Sequence, residues 1–104
     1  MEEPNLSFIK EVTGDDDQFQ ESILTILKKE FPEEKETYLK NISIFNFNAA
    51  ADDVHKLKHK ICLLALSKSC ELAAQYEKDL KKGNTEFHQD FVKVLNKIHV
   101  YLNI

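Results

Sequence analysis

The chain has 104 residues, 42% hydrophobic and 31% charged, with a formal net charge of −4. That length suits one domain, residues 1–104, with a single core. The acidic balance, with no basic stripe carrying interleaved aromatics, gives no electrostatic reason to expect nucleic acid as a partner.

Two glycines and two prolines are too few for the hairpin turns of an antiparallel β-fold, so few, long helices are expected. Pro4 suits the first turn of a short helix carrying Leu6, Phe8, Ile9 and Val12, with Gly14 as its stop. Asp15, Asp16 and Asp17 supply an N-cap and favourable charge for the next helix. There Phe19, Ile23, Ile26, Leu27 and Phe31 follow a helical period. Pro32 is expected to end or kink this helix, because it removes a hydrogen bond and restricts Phe31. Tyr38, Leu39, Ile42 and Phe45 continue the stripe, and Asn46-Phe47-Asn48 turns the chain.

A further helix opens near Asn48 or Ala49, with Val54, Leu57, Ile61, Leu64 and Ala65 on its inward face. Leu72, Ala73, Tyr76 and Leu80 extend that stripe, either in one long helix or after a break near Ser67. Gly83-Asn84 is a clear boundary. The last helix carries Phe87, Phe91, Val94, Leu95, Ile98 and Leu102 on one face. The expected fold is therefore all-α, an antiparallel four-helix bundle with a short N-terminal helix.

Cys62 and Cys70 stand eight apart in a stretch that reads as helix. In one straight helix about 12 Å of rise would separate them, too far for a mutual disulfide. They are expected as reduced, mostly buried side chains. The start Met1-Glu2-Glu3-Pro4 has no signal-peptide character, and no apolar run approaches the ~20 residues of a membrane span. No membrane partner is expected, and a reducing, cytoplasmic location is the default. The start at Met1 and the apolar end Val100-Tyr101-Leu102 fit a free-standing module, expected to be a monomer.

The chemistry gathers between Asp52 and Cys62. At 100° per residue Val54, Leu57 and Ile61 face the core, while His55, Lys58, His59 and Cys62 share the adjoining flank. Leu66 falls on that flank one turn further on. His55 is thus expected at the edge between core and solvent, where a neutral imidazole is a competent nucleophile. Lys58, one turn away, can place an ammonium beside phosphoryl oxygens, and the flanking apolar groups let a partner dock and exclude water. There is no phosphate-cradling loop and no Ser or Cys beside an evident base. Zinc on His55, His59 and Cys62 is disfavoured: three ligands on one helix face fit a tetrahedron poorly, and Lys58 among them repels a cation. No metal site is expected. His88 and His99 read as solvated or partly packed, and Glu33-Glu34 as solvated charges.

His55-Lys56-Leu57-Lys58 resembles the His-x-Leu/Ile-Lys core of the histidine phosphotransfer (HPt) family. The resemblance extends to the stretch from Asp17 to Leu39, similar to the family's helix before the active histidine, and to Glu71–Glu77, similar to its downstream helix. In all it spans roughly residues 5 to 101. It implies a phosphocarrier, without catalysis of its own, in a two-component His-Asp phosphorelay. His55 would be the phosphoacceptor and Lys58 the group that stabilises the phosphoryl. Response-regulator receiver domains and hybrid sensor kinases would be the partners, docking over His59, Cys62 and Leu66. The module would need no cofactor, the magnesium residing on the receiver. Two positions depart from the family: His59 replaces a glycine beside the phosphoryl site, and Ala65 replaces one whose role is read as close helix packing. An alternative is a non-phosphorylated adaptor that docks a receiver or kinase.

Overall fold

Side-chain caps fix where the two longest helices begin. The computed structural model describes residues 2–104 and contains five helices: α1 (Ser7–Thr13), α2 (Asp17–Ser43), α3 (Phe47–Leu63), α4 (Ser67–Lys81) and α5 (His88–Leu102). Asp16 Oδ1 accepts from Phe19 N at 3.0 Å and opens α2, and Asn46 Oδ1 accepts from Ala49 N at 3.3 Å and opens α3. Asn46 thus starts α3 one to two residues earlier than expected. Pro4 lies before α1, buried rather than in its first turn; Asn5 Oδ1 instead takes the Ser7 N–H at 3.0 Å. The Met1 end of the expected domain lies outside the described residues, which contain no strand and no helix long and apolar enough to cross a membrane.

All five helices feed one hydrophobic cluster, through Ile9, Phe31, Leu57, Tyr76 and Leu95 among others. Val54, Leu57 and Ile61 are 0% exposed, and each such side chain contributes about 1.5–3 kcal/mol on burial. This packing also carries α2 unbroken through Pro32. The proline lacks the N–H that would reach the carbonyl of Lys28, but Phe31 and Tyr38 on either side of it are fully buried and hold the helix together.

Three helix ends use a left-handed residue that is not glycine: Phe45 after α2, Ala65 after α3 and Asn103 after α5. At the end of α3 Ala65 has φ 65°, its N–H reaches Cys62 O at 3.1 Å, and the Leu66 N–H reaches Ile61 O at 3.4 Å. That is a Schellman closure with alanine where glycine is usual. Phe45, at φ 58°, closes α2 in the same way. Ala65 therefore does not lie on the inward face of a continuing helix; it makes the turn between α3 and α4.

That turn corrects the reading of the cysteines. Because the chain reverses over Leu64–Leu66, the Cα atoms of Cys62 and Cys70 come to 5.1 Å and the two are joined in a disulfide. The expectation of reduced thiols rested on a straight helix, and with it goes the cysteine argument for a reducing compartment.

The N-terminal segment is strapped across the same turn. Leu66, at the N-cap of α4, has no side chain able to cap, and Glu2 fills the role, accepting from Lys68 N at 3.0 Å and Ser69 N at 2.8 Å. Burial alone would raise the Glu2 carboxyl, but these backbone donors outweigh it and hold the group below the usual range. In the core, the Tyr38 hydroxyl lies 2.5 Å from that of Tyr76 and 2.7 Å from His88 Nδ1. His88 is partly packed and terminates a buried hydrogen-bond chain.

Candidate functional site

The middle of α3 presents His55 at the edge of the core, as the helical period requires. Its side chain is 52% exposed, while Val54 on one side and Leu57 on the other are buried. The packing of α4 against α3 adds a residue that the spacing along α3 does not reveal. Glu77, 22 positions away, places Oε1 3.0 Å from His55 Nδ1 and 3.3 Å from Lys58 Nζ. Lys81 Nζ approaches its other oxygen at 3.8 Å. A single carboxylate thus gathers the histidine and both lysines.

Electrostatics follow from that geometry. Burial pushes the Glu77 carboxyl up, but hydrogen bonds from His55 and Lys58 prevail and keep it below the ordinary glutamate range. An ionised Glu77 accepts only, so His55 Nδ1 is the N–H donor and Nε2 keeps its lone pair. The nitrogen that carries the lone pair is therefore Nε2, which points away from Glu77. His59 Nε2 stands 3.3 Å from it, with the rings edge to face at 82° and centroids 4.8 Å apart. With the His55 tautomer fixed, His59 donates its Nε2–H onto the His55 lone pair.

The remaining expected residues divide. Lys58 lies beside His55, 23% exposed, and keeps ammonium protons beyond the one given to Glu77. Cys62 follows on the same flank, but half-buried and bonded to Cys70. Leu66 does not join them. It is 1% exposed, because the chain turns at Ala65 and carries it into the core, so it offers no docking surface. Glu34, read as solvated, bonds Lys60 Nζ at 2.9 Å.

Glu77 went unassigned because no local spacing connects it to His55. A signal does exist in the numbering: His55 stands seven residues before Cys62 and Glu77 seven after Cys70. Once the cysteines pair across a helical hairpin, a heptad in each direction returns to the same face.

Among the described residues no group of three or more His, Cys, Asp or Glu is arranged to hold a metal ion. A surface groove lined by Pro4, Lys97, Val100 and Tyr101 among others shares no residue with the His55 site. No protein-family model, no curated protein and no solved structure matches the chain.

Proposed function

We propose that this chain is a histidine phosphotransfer module, a four-helix bundle of α2–α5 with α1 appended, in which His55 Nε2 takes a phosphoryl group from a receiver-domain aspartate and later returns one to another receiver. The observation that carries this reading is the convergence of His55 Nδ1 and Lys58 Nζ on Glu77 Oε1.

In the transfer step the Nε2 lone pair attacks phosphorus. A P–N bond forms as the P–O bond to the aspartate breaks, and the electron pair leaves with the carboxylate. The imidazole gains positive charge as the bond forms, and Glu77 across the Nδ1–H stabilises it. Lys58 directs its remaining donors toward the phosphoryl oxygens. The receiver supplies magnesium and the rest of the catalysis, in keeping with the sparse chemistry here. Receivers and hybrid sensor kinases are the partners, and the cytoplasm is the proposed location on the relay reading alone, since the disulfide takes away the support the cysteines gave it.

The adaptor reading draws on one observation, the His59 N–H covering the lone pair of His55 Nε2. His59 is exposed, and rotation of its ring uncovers the nucleophile. Incubation with a phosphorylated receiver separates the two readings. A carrier acquires an acid-labile, base-stable phosphoramidate, whereas an adaptor binds the receiver and remains unmodified.

A further inference from the structure

Zinc-type ions are bound by imidazole nitrogens at about 2.0–2.1 Å in a tetrahedron, which sets two such nitrogens roughly 3.3–3.4 Å apart. His55 Nε2 and His59 Nε2 already stand 3.3 Å apart, four residues apart on one helix and both exposed to solvent. Because they sit one turn apart in mid-helix, the backbone keeps the two rings within reach of each other, and a turn of the exposed His59 ring aims both lone pairs at one point. The second feature is Glu77. A histidine that binds a metal through one nitrogen commonly donates its other N–H to a carboxylate, which orients the ring and raises its basicity. His55 Nδ1 makes that contact with Glu77 at 3.0 Å.

The structure weakens both objections raised by the sequence. Cys62 is bonded to Cys70, so the site needs no third ligand from the same helix face. Lys58 and Lys81 share the single carboxylate of Glu77, and Lys60 is paired with Glu30 and Glu34, so part of the nearby cationic charge is compensated.

We propose that His55 and His59 form a two-point chelate for a divalent transition-metal ion of the zinc class, and that the bound ion closes the His55 nucleophile to phosphoryl transfer. The closing effect rests on the phosphotransfer reading; the chelate does not. On binding, the ion replaces the hydrogen that joins the two Nε2 atoms, and the His59 proton moves to its own Nδ1. Water completes the coordination. With its Nε2 lone pair given to the metal, His55 cannot attack phosphorus until the ion leaves.

The test is zinc titration of the full chain at pH 7.5 by calorimetry, with cobalt(II) as a spectroscopic probe. The wild type should bind one ion, show the intense visible bands of tetrahedral cobalt, and shift the ring resonances of His55 and His59 together. His59→Asn should weaken binding at least tenfold, and Glu77→Gln by roughly tenfold. Unchanged affinity in His59→Asn, or movement of only one ring, overturns the chelate. The second arm compares transfer with and without zinc, as a ratio within each variant. Zinc should suppress transfer to the wild type, reversibly with a chelator, and leave the ratio near one for His59→Gly. Equal suppression in both places the zinc effect on the receiver and overturns the closing effect. A chain that binds zinc through both rings yet never accepts phosphate overturns the phosphotransfer reading and leaves the chelate standing.

Discussion

Glu77 Oε1 lies 3.0 Å from Nδ1 of His55, a contact between α3 and α4 that leaves the imidazole lone pair on Nε2. Glutamine in its place keeps one acceptor and a similar helix propensity but loses the charge. Glu77→Gln should therefore fold with little change in stability and accept phosphate about tenfold more slowly, a loss near 1.4 kcal/mol in the transition state. Nitrogen NMR of the His55 ring should also show a mixed tautomer population in the variant. A wild-type rate together with a wild-type tautomer would leave Glu77 without a role in the chemistry.

Lys58→Ala separates transfer from folding in a different way. Alanine is at least as good a helix former as lysine, and the pair with Glu77 is partly solvated, so a change below about 1 kcal/mol is expected in denaturant unfolding. Transfer from a phosphorylated receiver should slow by about tenfold or more if the ammonium meets the transferring oxygens. Equal rates would return Lys58 to the surface charges.

Ala65 sits at φ 65°, a conformation that costs a residue with a Cβ about 1–2 kcal/mol. Ala65→Gly should raise stability by about 1 kcal/mol, the relief of strain being offset in part by the freedom glycine gains when unfolded. Urea unfolding with an unchanged slope measures it. A destabilised variant would show that the methyl group packs, the role first expected of this position.

The disulfide makes a second demand on the same turn. Intact chain should have no titratable thiol until a reductant is added. Cys70→Ser should lower stability by about 2–3 kcal/mol, the loop-closure value for a short ring. Rapid thiol titration without reductant would place the two cysteines apart.

These residues also show where the sequence was legible. Apolar spacing placed Val54, Leu57 and Ile61 in the core and His55 at its edge, because a helix in contact with a core has no other way to bury such a stripe. Gly14 and Gly83, both at positive φ, marked two helix ends. The turn at Ala65 stayed ambiguous because neither glycine nor proline announces it. The disulfide and the burial of Leu66 both depend on that turn. Pro32 misled in the other direction: its local penalty is outweighed by the burial of Phe31 and Tyr38. Glu77 depends on how α4 lies against α3, a relationship between elements that no local spacing records.

The most direct measurement is the intact mass of the chain after incubation with a phosphorylated receiver and magnesium. The wild type should gain one phosphoryl group, lost in acid and kept in base, and His55→Gln should gain none while retaining the wild-type helical spectrum. A phosphoryl group that persists in a folded His55→Gln, or a wild type that stays unmodified by every receiver offered, would contradict the assignment of His55 as the acceptor.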